Sequence, residues 1–145
     1  MKARTKARGI ALQVLYEFDM TGHPPLLSLN FRLEEEPLDE KLVEFTTKIV
    51  TNILPLIPTL DLLIAEHAPE WPMDQLAVVD RNILRIALWE FAVEKCTPIK
   101  VAINEAIELA KMFGSDATPR FVNGVLGSLA NRQNEIFQKL KNQNL

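Results

Sequence analysis

Apolar residues recur at helical spacing along almost the whole chain, and this pattern constrains the fold more than any other feature. In the first segment they stand at positions i, i+3, i+4, i+7, i+8 and i+11, namely Ala7, Ile10, Ala11, Val14, Leu15 and Phe18. This spacing places them on one face of an amphipathic helix, whereas a half-buried strand alternates every second residue. No segment alternates convincingly in that way. The sequence therefore predicts an all-α fold.

Turn residues and capping residues mark the ends of the helices in the first part of the chain. The first helix should end near Thr21-Gly22, because Pro24-Pro25 follows as a stop signal. A shorter helical segment is expected over 26–33. Asp39 is placed to cap a third helix, whose apolar stripe covers 42–53.

Two prolines divide the chain after that helix. Pro55 and Pro58 lack the amide hydrogen that interior helix bonds need, so the chain should break or kink there. Thr59 is then expected to cap the next helix, 69–72 to connect, and Asp74 to cap the helix after it. The fold is thus predicted as two small helical halves.

The second half repeats the same signals. A long amphipathic helix is expected over 76–91, and Pro98 should occupy the first position of the next helix, where its missing donor costs nothing. Gly114 is predicted as a left-handed stop. Thr118-Pro119 should start a last helix that continues to about residue 140. Together these signals predict about six or seven helices in one bundle.

Composition and length narrow the class of protein. The chain has 145 residues, 48% of them hydrophobic, which suits one domain over residues 1–145 with one core. The lone Cys96 excludes a disulfide-bonded scaffold. A membrane span needs roughly 20 mainly apolar residues, and no such uninterrupted stretch is found. Because residues 1–8 also lack the apolar core of a signal peptide, we expect a cytoplasmic protein.

The net charge of −3 hides an uneven distribution. Lys2, Arg4, Lys6 and Arg8 make the first eight residues +4, while the other 137 residues carry 12 Lys or Arg and 19 Asp or Glu. A basic segment on an acidic body is a candidate anion contact. A solubilising helix end would explain the same residues equally well.

The residue types needed for catalysis do not cluster in the sequence. His23 and His67 fall in predicted loops, outside any metal-binding helical pair. Cys96 reads as a partly buried structural thiol. Gly124 and Gly127 lie within a helical pattern, where small residues would allow close helix packing. We therefore expect no enzyme activity, no cofactor and no metal.

The residue types that bind nucleic acid are better represented in the sequence than those needed for catalysis. Tyr16 falls on the outward side of the first helix, downstream of the four cations, and Arg120-Phe121 is a second pairing of a cation with an aromatic ring. Cations contact phosphates and rings stack on unpaired bases. Alternatively, Tyr16 packs against a neighbouring helix and Phe121 closes the core.

Several motifs, taken in order, resemble the NusB family. The first reads Arg8-x-x-Ala11-x-Gln13-x-Leu15-Tyr16, and Trp71 and the run Val-Asp-Arg-Asn-Ile-Leu-Arg-Ile-Ala-Leu-Trp-Glu over 79–90 follow it. The longest reads Pro-Ile-Lys-Val-Ala-Ile-Asn-Glu-Ala-Ile-Glu-Leu-Ala-Lys over 98–111. It continues through Phe-Gly at 113–114 to Arg-Phe-Val-Asn-Gly-Val-Leu-Gly over 120–127. These segments span nearly the whole chain.

The resemblance implies an all-helical transcription antitermination factor that acts without an enzymatic step or cofactor. Family members pair with NusE, a small-subunit ribosomal protein, and the heterodimer binds the boxA element of nascent RNA. With other Nus factors this keeps RNA polymerase from terminating early, notably on ribosomal RNA operons. By similarity, the RNA-binding positions are Lys2, Arg4, Lys6, Arg8, Tyr16, Arg120 and Phe121, and Asp80 lies on the NusE side.

Two other functions compete with this one. The same helical module occurs fused to a methyltransferase domain that modifies ribosomal RNA, but we expect no such enzyme here, because the 145 residues leave no room for a cofactor-binding fold. The chain could instead be a protein-interaction module, or a homodimer, whose basic arm contacts an acidic partner.

Overall fold

A computed structural model describes residues 2–68 and 72–144, and every regular element among them is helical. The α-helices are α1 (Ala3–Thr21), α2 (Pro25–Glu35), α3 (Glu40–Ile53), α4 (Ile57–Glu66), α5 (Val78–Leu88), α6 (Ile99–Phe113), α7 (Thr118–Ala130) and α8 (Gln133–Asn144). Two 3-10 turns, Leu54–Leu56 and Met73–Gln75, and a π-helical turn, Trp89–Val93, complete the elements. The predicted all-α class is confirmed. The expected connector at 69–71, with Trp71, lies outside the described residues.

The chain divides into two compact units at the predicted proline break. Unit 1 is Met1–Pro55 and unit 2 is Leu56–Leu145. The break is a single 3-10 turn, Leu54–Leu56, because Pro55 cannot donate the hydrogen bond that would continue α3.

Unit 1 packs α1 against α2 and α3. The apolar stripe of α1 is buried as predicted except at Phe18, which is half-buried, and Gly22 ends the helix in the left-handed conformation with φ of 75°. The Asp39 carboxylate accepts a 3.0 Å hydrogen bond from the Leu42 amide, which is the predicted cap of α3. A buried bond from Thr46 Oγ1 to the Ala7 carbonyl, 3.1 Å long, joins α3 to α1.

Unit 2 is built around α5, which packs against α4, α6 and α7. All residues from Asn82 to Leu88 are buried, so this part of α5 is covered on every side and not on one face alone. Its buried Arg85 donates two 2.7 Å bonds to the Asp61 carboxylate on α4 and one to Asn82. A buried cation is stable only when it is paired in this way.

Three predicted helix starts are shifted in the structure. Leu56, not Thr59, is the N-cap of α4, because Pro58 is tolerated within the first helical turn. Asp74 lies inside a 3-10 turn, and Ala77 caps α5. Pro98 is the N-cap of α6, one residue before its predicted position.

The last predicted helix is two helices, because the chain turns at 131–132 between α7 and α8. The predicted left-handed stop at Gly114 is wrong, since its φ of −92° is open to any residue. Gly114 is instead required by space, because a Cβ there would stand 2.5 Å from the Thr118 Cβ. Gly124 and Gly127 do not serve close packing, since a Cβ at either would meet nothing within 4 Å.

One helical segment, Glu40–Glu66, is long and apolar enough to cross a membrane by length and composition. On those two criteria the expectation that no such stretch exists is wrong. The segment contains Ile49, Val50 and Ile53, which are fully buried in the folded chain. Core helices of globular proteins satisfy the same criteria, so the finding is weak evidence for a membrane span.

Candidate nucleic-acid interface

The basic segment at the start of α1 is held by one aromatic ring. Lys2 is the exposed N-cap of α1, so Arg4 and Arg8 lie one turn apart on the helix. The Arg4 guanidinium lies 4.5 Å, and that of Arg8 5.2 Å, from the centre of the Phe45 ring on α3. Both distances are within cation–π range. The basic segment is therefore helical from Ala3 onward.

The predicted RNA-binding cations differ in what they offer to solvent. Arg8 is only 3% exposed, so its guanidinium is held inside the fold and is not offered to solvent. Lys2 and Arg4 are exposed. Lys6 forms a 3.8 Å ion pair with Glu36, and both side chains are about half exposed. Such surface pairs contribute little free energy, so Lys6 can exchange Glu36 for a phosphate.

Tyr16 lies on the same helix, eight residues after Arg8. It is 39% exposed, as the prediction of an outward position requires. The exposed Arg4 lies twelve residues before Tyr16, which is a rise of about 18 Å along the helix. An extended nucleic-acid strand that contacts both groups must span about that distance.

The second predicted pairing, Arg120 and Phe121, lies in the first turn of α7. Arg120 is exposed and Phe121 is half-buried. Both line a cleft of about 370 Å³, which is completed by Gln75, Leu76, Ala77, Asp80 and Ala117. The structure thus brings Asp80, predicted on the partner side, into the same cleft as two predicted RNA-binding residues.

A hydrogen-bonded latch fixes the start of α7. Thr118 Oγ1 donates a 2.9 Å bond to the Asp80 carboxylate and accepts a 2.9 Å bond from the Ser115 amide. Burial raises the pKa of Asp80, and the bond from Thr118 opposes that rise. Because Gly114 leaves room for Thr118, the latch sets where Arg120 and Phe121 enter the cleft.

The residues considered for catalysis are dispersed. His23 contacts Glu17 at 2.9 Å, whereas His67 shares a 2.6 Å hydrogen bond with Ser128, and burial lowers the pKa of His67. Cys96 is exposed, so its predicted partial burial is wrong. Among the described residues no three His, Cys, Asp or Glu side chains are grouped to hold a metal ion.

Two residues of the site were not found from the sequence. Phe45 fits the apolar stripe of α3 and was expected in the core, yet its ring carries two arginines. Thr118 was expected only as a helix cap. No local signal reveals either contact, because Arg8 and Phe45 are 37 residues apart and Asp80 and Thr118 are 38 apart.

Two helical units, each with an aromatic residue beside exposed cations, define an all-α protein with the surface chemistry of an RNA-binding adaptor. The sequence profile of the NusB family matches residues 5–131. The transcription antitermination protein NusB of Roseiflexus castenholzii is 48% identical over 134 residues, which cover 91% of this chain and 94% of that protein. The chain belongs to the NusB family.

Known structures agree with this membership. The structure of T. maritima NusB superposes with a TM-score of 0.84 at 32% identity, over 94% of this chain and 98% of that one. The crystal structure of antitermination factors NusB and NusE in complex with dsRNA contains a chain with a TM-score of 0.80 at 27% identity. That match covers 96% of this chain and 98% of the other.

Proposed function

We propose that this protein is a transcription antitermination factor that binds boxA RNA as a heterodimer with NusE. The observation that carries the proposal is the basic segment at the start of α1, where the exposed Arg4 stacks on the Phe45 ring and the exposed Lys2 precedes it. A ring that stacks on a guanidinium leaves its positive charge available, whereas a carboxylate would cancel it. The relatives' names and the NusB–NusE–RNA complex point to the same activity.

The two units supply different contacts to the RNA. Lys2, Arg4 and Lys6 contact phosphates, and Tyr16 stacks on an unpaired base. Arg8 is a positioning residue, since it is buried beneath the segment. In unit 2, Arg120 contacts the backbone and Phe121 receives a base at the cleft. Stacking on each ring contributes about 1–3 kcal/mol.

NusE binds at the side of the cleft that carries Asp80. The raised pKa of Asp80 reflects a partly buried carboxylate, and a cationic group of the partner would stabilise its charged form. The complex then joins other Nus factors and RNA polymerase, and supports processive transcription of ribosomal RNA operons in the bacterial cytoplasm. The protein performs no catalytic step and uses no cofactor in this role.

The acidic body contributes to selectivity. Outside the first eight residues the chain carries seven more acidic than basic side chains, so phosphate backbones are repelled from most of the surface. RNA should therefore bind at the exposed cations and aromatic rings of each unit and not at the rest of the surface.

A titration of labelled boxA RNA with the protein and NusE at several salt concentrations tests the proposal. We expect steep salt dependence, because each phosphate contact contributes roughly 0.7 to the log–log slope with single-stranded RNA. Equal affinity for a scrambled RNA would show that the binding is not specific for the boxA sequence.

Charge-matched variants locate the site. Lys2→Ala and Arg4→Ala should each reduce the slope, whereas Lys41→Ala, which removes an exposed cation at the start of α3, should leave it unchanged. Equal effects of all three variants would show a general loss of charge and not a site.

A further inference from the structure

Helix α2 carries large apolar side chains that the fold leaves exposed. It buries only Ser28 and Leu29, while Phe31 is 70% and Leu27 64% exposed, and Leu26 and Met20 nearby in the sequence are also more than half exposed. Burying a phenylalanine or leucine side chain stabilises by about 1.5–3 kcal/mol. A soluble protein that forgoes this gain at several adjacent positions is presenting an interaction surface.

These side chains border a groove of about 500 Å³. Pro24, Leu27 and Phe31 supply its apolar wall, and Glu35 stands at one end. We call this surface, formed by Pro24, Leu27, Phe31 and Glu35, the α2 face. Leu27 and Phe31 are four residues apart, so they lie on the same side of the helix. A groove of this kind suits an apolar side chain of a partner.

The floor of the groove is rigid before any partner arrives. The Glu17 carboxylate on α1 accepts hydrogen bonds from Ser28 at 2.7 Å and Arg32 at 3.1 Å, and contacts His23 at 2.9 Å. Arg32 also donates to Gln13 at 2.9 Å. These bonds, that of Ser28 foremost, lower the pKa of Glu17 to about 2. A pre-organised surface costs less conformational entropy when it binds.

The charge around the α2 face selects the kind of partner. Glu34 and Glu35 follow Phe31 by three and four positions, so they continue its side of the helix. They stand at the carboxyl end of α2, where the helix dipole is also negative. The chain from Glu17 to Glu44 contains eight Asp or Glu and only two Lys or Arg. RNA and anionic membranes are repelled by such a surface.

The apolar part of the α2 face and the exposed Arg4 lie near opposite ends of α1. Glu17 and Arg4 are 13 residues apart on α1, which corresponds to about 20 Å along the helix axis. The acidic end of α2 adjoins the basic segment, since Glu36 pairs with Lys6 at 3.8 Å. The two surfaces nevertheless attract ligands of opposite charge.

We propose that the α2 face is a docking site for a basic amphipathic helix of a partner protein. Apolar side chains of that helix, at i, i+3 or i+4, and i+7, enter the groove beside Leu27 and Phe31. Its lysines or arginines, one turn further on, pair with Glu34 and Glu35. This surface is additional to the RNA and NusE contacts proposed above.

The test uses a helical peptide of about 18 residues, with leucines at that spacing and lysines on both flanks, and a matched peptide with glutamates in place of the lysines. The isotope-labelled full chain is titrated with each. We expect the lysine peptide to bind and to shift the amide resonances of 26–35. The glutamate peptide should bind roughly tenfold more weakly or not at all, because like charges oppose it.

Variants at exposed positions keep the fold intact. Phe31→Ser should weaken the lysine peptide roughly tenfold or more, as loss of a central aromatic anchor does. Glu34→Gln combined with Glu35→Gln should weaken it about threefold and flatten its salt dependence. Leu62→Ser removes a leucine on α4 that is 62% exposed, and should change nothing.

Three results would overturn the proposal. The lysine peptide could bind Phe31→Ser and Leu62→Ser as tightly as the unaltered chain, or the glutamate peptide could bind as well as the lysine peptide. Sedimentation could also show a dimer that Phe31→Ser dissociates, which would make a second copy the occupant. Because Phe31→Ser should leave boxA binding with NusE unchanged, failure of the RNA titration would not affect this test.

Discussion

The starts of α1 and α7 present the same pair of groups, a cation and an aromatic ring, but the fold holds them by different means. At α1 the Phe45 ring stacks against Arg4 and Arg8. At α7 the Asp80 carboxylate holds Thr118, two residues before Arg120, by a hydrogen bond of 2.9 Å. One site is fixed by a neutral ring, the other by an acid.

This difference indicates how each site contributes to RNA binding. A ring orders the arginines and leaves the electrostatic potential positive, which suits long-range attraction of phosphates. A carboxylate orders the helix start precisely but places negative charge in the cleft, so α7 relies on shape and stacking. We therefore expect unit 1 to dominate the salt dependence of RNA binding and unit 2 to dominate its discrimination.

The largest effect is expected from Phe121→Ala. Loss of one stacked base should weaken boxA binding by roughly 5- to 150-fold, from about 1–3 kcal/mol per base. The salt slope should stay constant because no charge is removed. Phe121→Tyr serves as the control and should retain most of the affinity. A reduced slope in the alanine variant would break the proposed division of roles.

A comparison of Arg8→Ala with Arg4→Ala should distinguish the arginine that supports the fold from the arginine that contacts RNA. Arg8 is buried, so its removal should lower the free energy of unfolding by about 2 kcal/mol, measured by urea denaturation. Arg4 is exposed, and its loss should cost under about 0.5 kcal/mol of stability but reduce the salt slope of RNA binding. Equal destabilisation by both variants would contradict the assignment of Arg8 as the buried support.

Acid should affect the two units in opposite directions. The pKa of Glu17 in unit 1 is lowered to about 2, so its stabilisation, about 1–2 kcal/mol, is present at neutral pH and is lost as the pH falls from about 4.5 towards 2. The pKa of Asp80 in unit 2 is raised by burial. Its contribution therefore increases as the pH falls and is lost as the pH rises through that raised value.

Hydrogen exchange of amides in α2 and α5, corrected for intrinsic rates, measures this contrast. Protection in α2 should decrease between pH 6 and pH 3 more than protection in α5. Glu17→Gln should remove the pH dependence of α2. Parallel losses in both helices of the unaltered chain would count against the assignment.

Thr118→Val removes the latch while keeping the shape of the side chain. We expect about 1 kcal/mol of lost stability and severalfold weaker RNA binding, because Arg120 and Phe121 lose their fixed entry to the cleft. Thr51→Val is the matched control, since Thr51 Oγ1 bonds only a carbonyl of its own helix at 2.9 Å. If both valine variants bind RNA alike, the latch does not position α7.

The smallest effect is expected from Phe45→Leu, which keeps an apolar side chain and removes the ring face. The cation–π contribution at such sites is about 0.5–1 kcal/mol, so boxA affinity should fall about two- to fivefold. Phe45→Tyr should restore it. A leucine variant with unchanged affinity and unchanged salt slope would show that stacking is not needed to order the basic segment.

Local signals predicted much of this fold. The apolar stripes of α1 and α3, the Asp39 cap, the end of α1 near Gly22 and the proline break between the units each depend on a few neighbouring residues. The errors arose where distant packing decides. Gly114 is set by the approach of Thr118 and not by its own φ, and the helix over 118–140 breaks at a turn that has no proline or glycine.

The sequence by itself determined the helical class, the two-part division and the uneven charge, because periodicity, proline chemistry and composition are local properties. Only the tertiary structure decided which cations face solvent and which are buried. Arg4 and Arg8 are equivalent in the helical pattern, yet one is exposed and the other is covered. Likewise Asp80 reaches Thr118 only when α5 packs against α7. Burial depends on contacts between helices far apart in the chain, and no local pattern encodes those contacts.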